Sequence, residues 1–263
     1  MMRYALGVEY DGTAFMGWQS QTHPGRTVQA SVEEALCTVA DHAVTVTCAG
    51  RTDAGVHATG QVIHFDTEAR RSPRGWLLGV NSNLPADVAA GWIQEVPEAF
   101  HARFSAEARQ YRYVIINRST RPALTRAQMT WFYRPLDVAR MQTATRHLVG
   151  EHDFSAFRSV ECQSKQPVRT LERLDVRREG ECIVIDAVAD GFLHHMVRNI
   201  VGVLFAVGEG KREPEWARAV LESRERTLGG VTAPSNGLCL TAVKYPAHFG
   251  IPLPEGALFS DNL

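Results

Sequence analysis

Three kinds of sequence pattern are missing from this chain of 263 residues. Its five cysteines (Cys37, Cys48, Cys162, Cys182 and Cys239) are scattered and form no C-x-x-C pair, which argues against a disulfide framework and a structural zinc site. The most apolar run, residues 200–208, is far shorter than the ~20 residues needed to cross a bilayer. The first residues lack the apolar core of a signal peptide. These absences predict a cytoplasmic protein.

An excess of charge of one sign is also missing. The formal net charge is −1, so total charge does not indicate a nucleic-acid partner. The distribution of charge is more informative, because residues 108–135 contain six arginines and no acidic residue: Arg109, Arg112, Arg118, Arg121, Arg126 and Arg134. A solvated basic face is the ordinary interpretation of such a run. Interleaved aromatic residues such as Tyr111 and Trp131 favour a surface that faces RNA.

Periodicity predicts a mixture of strands and helices. Strands are expected at residues 3–10, 44–48, 60–66, 88–96, 111–115, 131–134, 168–177, 182–189 and 238–245. Helices are expected at 27–41, from the cap Ser72, from 137, and at 193–207 and 213–221. The elements do not alternate strictly as β-α-β, which favours an α+β fold with a central, mainly antiparallel sheet. We predict two similar α/β halves, residues 1–105 and 106–263.

A glycine-rich loop at residues 50–58 separates two of the predicted strands. Asp53 follows Arg51 between two glycines, and His57 comes four residues later. Glycines allow backbone to approach a ligand closely, and reactive groups tend to lie on loops of this kind. A turn in which the Asp53 side chain caps the backbone fits the same pattern equally well.

Polar residues interrupt the apolar helix predicted at 193–207. Arg198 stands among valines and isoleucine, and a buried guanidinium requires an anion because an unpaired buried charge is costly. We expect Arg198 to pair with a carboxylate such as Asp53. The alternative is an arginine whose charged end extends to solvent.

Histidines leave a metal site as an alternative hypothesis. Asp53 with His57 and His64, or His194 with His195, could supply ligands. No H-E-x-x-H motif is present, and adjacent histidines on one helix would point about 100° apart. We therefore predict no metal.

Short sequence blocks follow one another along nearly the whole chain. They are Tyr10-Asp11-Gly12-Thr13, Gly17-Trp18-Gln19, residues 49–58, residues 101–106, Tyr111-Arg112-Tyr113, His152-Asp153-Phe154, Cys162-Gln163-Ser164, residues 192–202 and Gly237-Leu238-Cys239-Leu240. In these blocks and their order the chain resembles the TruA family of tRNA pseudouridine synthases. Residues 229–236 carry no familiar pattern.

The resemblance implies a fold and a reaction. The fold would be that of pseudouridine synthases, with two RNA-recognition-like α/β halves around a central, mainly antiparallel sheet. The protein would act as a homodimer without cofactor or metal. It would flip uridines 38, 39 and 40 out of the anticodon arm of tRNA and convert them to pseudouridine.

The resemblance also implies roles for individual residues. Asp53 would be the catalytic nucleophile and Arg198 its salt-bridge partner. Tyr111 would stack on the target base, Leu240 would line the pocket, and Arg51 would help to flip the nucleotide. We expect three further side chains to contact substrate: His57, Arg109 and Arg112.

Two other classes of function remain open at this point. A non-catalytic RNA-binding protein could be built from the same two halves, although a carboxylate beside RNA would then have no purpose. A metal-dependent hydrolase could use Asp53 together with histidines.

Overall fold

A computed structural model describes residues 1–20, 25–162 and 164–259 of the protein. Gln163, part of one sequence block above, lies outside these residues. The chain divides into two compact units. Unit 1 comprises Met1–Glu107 and Cys239–Ala257, and unit 2 comprises Ala108–Leu238 with the described residues from 258 onward. The predicted division at residue 105 lies close to Glu107, but residues 239–257 belong with the first unit and not with the second.

The secondary structure of the described residues is mixed throughout. In chain order the elements are β1 (Met2–Tyr10), α1 (Val28–Ala40), β2 (Thr47–Cys48), β3 (His57–Thr67), α2 (Pro73–Asn83), β4 (Val88–Val96), β5 (Ala108–Asn117), β6 (Thr130–Phe132), α3 (Val138–Thr145), β7 (Gly150–Asp153), β8 (Val168–Glu179), β9 (Cys182–Ala189), α4 (Met196–Gly208), α5 (Trp216–Ser223) and β10 (Leu238–Lys244).

The sheet of unit 1 has the strand order β4-β1-β3-β10, and β2 also pairs with β3. Strand β1 is antiparallel to both β3 and β4, whereas β10 is parallel to β3. This last pairing is why the C-terminal strand returns to the first unit.

Both helices of unit 1 start at the caps expected from the sequence. The Thr27 side chain accepts the backbone N–H of Ala30, and the Ser72 side chain accepts that of Gly75. Trp76 of α2 packs 5.5 Å from the Phe65 ring of β3. An apolar helix face therefore covers one face of the sheet.

The sheet of unit 2 has the strand order β5-β9-β8-β7, and all neighbours in this order are antiparallel. Strand β6 pairs with β5 in parallel. The hairpin β8–β9 agrees with the sequence prediction and turns at Gly180, whose φ is +60°. Strand β7 was not predicted, because its sequence Gly-Glu-His-Asp has no apolar alternation.

The start of α4 differs from the prediction. The helix begins at Met196, three residues later than expected, because His195 has a left-handed backbone with φ of 63°. His194 and His195 consequently precede the helix. The expectation that they project about 100° apart from one helix is wrong.

The α+β class and the mainly antiparallel sheet are confirmed. Among the helices of the described residues, none has the length and apolar character required to span a membrane.

Candidate active site

The loop that carries Asp53 is fixed to the sheet of unit 1 by buried polar groups. Gln61 is fully buried, and its Nε2 donates to the Gly50 carbonyl over 2.6 Å. The Thr52 and Tyr10 hydroxyls lie 2.8 Å apart, and the Thr52 carbonyl accepts the Trp18 N–H. Because the Gln61 and Thr52 side chains that make these bonds are buried, the backbone on both sides of Asp53 has little freedom.

Two glycines of the first sequence blocks pack directly against the same loop. A Cβ at Gly12 would lie 2.0 Å from the Val56 carbonyl oxygen. A Cβ at Gly17 would lie 2.8 Å from the Thr52 carbonyl oxygen, and Gly17 also has φ of +97°. These positions require glycine because backbone meets backbone there. The half-buried Asp53 is therefore presented from a closely packed loop.

His57 is the first residue of β3, directly after the loop turns into the strand. Its side chain is almost fully buried, and Nδ1 accepts the Gly12 N–H over 3.0 Å. Nδ1 also lies 3.2 Å from Oδ1 of Asp11. The imidazole thus connects the loop to the Tyr10–Thr13 block, whereas its expected contact with substrate stays a prediction. Arg51, by contrast, is exposed.

Leu240 is brought next to the Asp53 loop by strand pairing. It is fully buried in β10 and is in register with Ala58, the second residue of β3. This single parallel pair of strands brings together residues that are more than 180 positions apart in the sequence.

The three candidates on β5 do not share one face of the sheet of unit 2. Side chains alternate along a strand, so Arg109 and Tyr111 lie on one face and Arg112 on the other. Tyr111 is mostly buried and packs edge-on against Phe192 with ring centroids 5.1 Å apart. Arg109 donates to the Asp190 carbonyl over 2.8 Å.

Arg112 is part of an ion-pair cluster across three strands. Its Nε donates to the fully buried Asp186 of β9 over 2.8 Å, and Arg177 of β8 binds the second oxygen of the same carboxylate. This cluster supplies a structural reason for Arg112, and its expected role in substrate binding stays a prediction.

The arginine-rich stretch at 108–135 is partly neutralised by acids from elsewhere in unit 2. Asp186 pairs with Arg112, Glu181 with Arg118, and Glu209 with Arg134. The sequence stretch contains no acid, but the fold provides three. Among the described residues, Arg121 and Arg126 form no ion pair with an acidic side chain.

Arg198 lies in the first turn of α4, and both its side chain and its backbone are hydrogen-bonded to Ala233. Its Nε donates to the Ala233 carbonyl over 2.8 Å, and its own carbonyl accepts the Ala233 N–H over 3.1 Å. Burial raises the pKa of the Tyr113 hydroxyl, and the nearby positive charge of Arg198 lowers this pKa by a smaller amount. One guanidinium nitrogen is thus fixed by the backbone of unit 2.

The segment that holds Arg198, residues 226–236, is itself docked on α4. Arg226 donates to Oδ1 of Asn199 and to the Thr232 hydroxyl. A Cβ at Gly202 would lie 1.8 Å from the Val231 carbonyl oxygen. Residues 229–236 of this segment carry no familiar sequence pattern, so the sequence does not predict that the segment holds Arg198. The buried amide Asn199 within an apolar helix was the available signal.

The imidazoles of His194 and His195 lie close together, with ring centroids 4.0 Å apart. Their left-handed turn, and not a helix, brings them to one place. Within each unit taken by itself, the described residues contain no three His, Cys, Asp or Glu side chains whose ligand atoms converge.

Comparison with known proteins decides which class of function applies. The model of the family described as tRNA pseudouridine synthase matches residues 7–105 and 144–246. The chain belongs to this family. These ranges contain Arg51, Asp53, His57, Arg198 and Leu240, whereas Arg109, Tyr111 and Arg112 fall between them.

Comparison with individual relatives shows that the similarity covers almost the whole chain. The chain is 56% identical to tRNA pseudouridine synthase A of Alcanivorax borkumensis over 96% of its own length and 94% of the relative. It is 58% identical to the enzyme of that name from Methylococcus capsulatus over 95% and 92%. It is 53% identical to the one from Vibrio cholerae over the full length of both. The predicted TruA family and the assignment as an isomerase are confirmed, and the non-catalytic alternative is excluded.

Proposed function

We propose that this synthase converts uridines 38, 39 and 40 in the anticodon arm of tRNA to pseudouridine, with Asp53 as the reacting carboxylate. The observation that carries the proposal is the placement of Asp53 on a loop fixed by Gln61, Gly12 and Gly17. Catalysis requires such preorganisation, because a misplacement of about 1 Å can cost about 10²-fold in rate.

The reaction rearranges one nucleotide without consuming anything. The C1′–N1 bond breaks, the base turns, and a C1′–C5 bond forms; C5 loses a proton and N1 gains one. An ionised aspartate could add covalently or remove a proton from the sugar. Both routes place Asp53 beside the ribose and the base of a nucleotide that has left its stack. Removal of the nucleotide from the stack costs a few kcal/mol.

The remaining roles follow the family resemblance. Arg198 would pair with Asp53 and orient it, and its planar guanidinium suits this because several donors act at once. Tyr111 would stack on the flipped base, which is worth ~1–3 kcal/mol. Leu240 would line the pocket, and the exposed Arg51 would help to hold the nucleotide out of the stack.

The direct test uses an unmodified tRNA transcript and purified protein. We expect pseudouridine at positions 38, 39 and 40, mapped by chemical labelling that marks pseudouridine. Transcripts in which each uridine is replaced by cytidine should lose only the matching signal. Modification confined to another arm of the tRNA would refute the proposed site.

The proposal includes a cytoplasmic homodimer that needs no metal. Activity should survive dialysis against a strong chelator, provided that the tRNA is refolded with magnesium beforehand. Activity that is lost and then restored by zinc would instead support a metal held by histidines such as His194 and His195. Sedimentation velocity should give twice the chain mass at micromolar concentration.

A further inference from the structure

Phe104 is an aromatic side chain that unit 1 holds at its surface. Its side chain is 76% exposed. The turn that carries it is closed by two hydrogen bonds between His101 and Ser105, one through the Ser105 hydroxyl and one through its N–H, each 2.9 Å long. An exposed phenyl ring contributes little to folding by burial. The fixed backbone beneath it therefore points to a use outside the fold.

One face of the Phe104 ring rests on the imidazole of His101. The ring centroids lie 4.3 Å apart with planes inclined by 28°. Nδ1 of His101 accepts the backbone N–H groups of Arg103 and Phe104. Partial burial and then the charge of Arg3 lower the pKa of His101, so the imidazole stays neutral near pH 7. The phenyl ring is thus supported by an uncharged second ring, which limits the entropy lost when it stacks on a ligand.

Positive charge lies beside this ring and near the Asp53 loop. The Arg103 guanidinium is exposed and lies 5.7 Å from the Phe104 ring centroid. Burial raises the pKa of the Cys48 thiol at the end of β2, and the nearby positive charges of Arg51 and Arg103 lower this pKa by smaller amounts. The Ala102 N–H donates to His64 of β3, which is in register with Thr47 of β2. The turn is therefore anchored beside the strand that enters the Asp53 loop.

We propose that Phe104 is a second stacking platform, which binds an unpaired nucleobase of the tRNA substrate while Arg103 binds a neighbouring phosphate. This inference rests on the proposed function, because it takes the ligand to be the tRNA. An aromatic ring beside an exposed guanidinium is the combination that binds unstacked nucleotides, since every base has a π face and every linkage carries a negative charge. The adjacent Arg103 favours this anionic ligand over an apolar surface of a second copy.

The test compares variants of Phe104 in binding to an unmodified tRNA transcript. Phe104→Ala should weaken binding about 5- to 140-fold, as expected for one lost stacking contact. Phe104→Tyr should retain wild-type affinity, whereas Phe104→Leu should bind as weakly as Phe104→Ala. Leu78→Ala, which removes another exposed apolar side chain of unit 1, is the matched control and should bind normally. Thermal unfolding should show that each variant is folded.

Salt dependence separates the two groups. Phe104→Ala should leave the slope of log affinity against log salt unchanged, whereas Arg103→Gln should reduce its magnitude by about 0.7 to 0.9. Unchanged affinity in Phe104→Ala would overturn the inference. Wild-type affinity in Phe104→Leu would also overturn it. A change of oligomeric state in Phe104→Ala with normal tRNA affinity would overturn it as well, and would assign the ring to contact with a second copy of the chain.

Failure of the proposed function has a different signature. A wild-type protein that forms no pseudouridine in the transcript, yet binds it in a Phe104-dependent manner, would refute the function and leave the stacking platform in place. A wild-type protein that forms pseudouridine while Phe104→Ala binds and reacts normally would refute the platform alone.

Discussion

Asp53 and Arg198 are each held firmly in their own unit, but by different kinds of contact. The Asp53 loop is fixed by backbone packed against glycine at Gly12 and Gly17, with buried polar groups behind it. Arg198 stands on a regular helix, and its side chain is fixed by a hydrogen bond to Ala233.

This difference determines which changes each site can tolerate. Close packing of backbone on backbone leaves no space for a Cβ. Even a change from glycine to alanine at Gly12 or Gly17 should therefore displace the loop, although both glycines lie outside it. A side chain fixed by hydrogen bonds responds to the loss of its donor or acceptor, at a cost of about 1.5–3 kcal/mol for a charged group. The following experiments test this contrast, from the largest expected effect to the smallest.

Replacement of the reacting group should have the largest effect. We expect Asp53→Ala to lower the single-turnover rate by about 10³-fold or more, because a group that reacts covalently or moves a proton has no substitute. Affinity for tRNA should stay within a few-fold. Asp41→Asn, which removes a carboxylate at the end of α1, is the control and should keep full activity. Substantial turnover by Asp53→Ala would show that another group reacts.

Substitution of Arg198 should separate charge from geometry. Arg198→Lys keeps the positive charge but loses the Nε donor to Ala233 and the planar fork, so we expect a rate loss of about 10²-fold in a folded protein. Arg198→Ala should be slower still. Rates are measured in single turnover, and folding by circular dichroism. A fully active Arg198→Ala would place the partner of Asp53 elsewhere.

Addition of one methyl group should test the two supports directly. Gly12→Ala would force a Cβ against the Val56 carbonyl, and Gly202→Ala would force one against the Val231 carbonyl. We expect about 1–3 kcal/mol lower stability in urea for each. Gly12→Ala should also lower the rate about 10-fold or more, because it displaces the backbone of the Asp53 loop, whereas Gly202→Ala should lower the rate less, because the Nε donor of Arg198 and its Ala233 acceptor both remain. Gly91→Ala, whose Cβ would meet nothing within 4 Å, is the matched control. Equal rates in Gly12→Ala and Gly202→Ala would contradict the contrast, and equal behaviour of Gly12→Ala and Gly91→Ala would show that this close packing does not fix the Asp53 loop.

Removal of surface arginines should have the smallest effect, on affinity alone. Arg121 and Arg126 have no acidic partner among the described residues, so the double alanine variant should weaken tRNA binding several-fold. It should also reduce the magnitude of the salt slope by about 1.4 to 1.8, at 0.7 to 0.9 for each phosphate contact. Arg118→Ala and Arg134→Ala remove guanidinium groups already paired with Glu181 and Glu209, and should change the slope less. An equal change in both pairs would show that these ion pairs open on binding.

Local patterns accounted for much of the fold. Strand β1 follows from alternation, the hairpin β8–β9 from the turn at Glu179-Gly180, and the caps Thr27 and Ser72 from the preference of helix N-termini for hydroxyl groups. Each depends on residues within one turn or one strand. The left-handed His195 could not be predicted in the same way, because few non-glycine residues adopt this conformation and only packing selects it.

For the candidate site, the sequence by itself determined the residues that can do chemistry and the glycine positions around them. Only the tertiary structure decided what holds these residues. It placed Leu240 opposite Ala58, Ala233 on Arg198, and acids beside half of an arginine-rich stretch that has none of its own. The physical reason is range: periodicity and capping act over a few residues, whereas a carbonyl that meets a glycine or an ion pair across strands joins residues far apart in the chain.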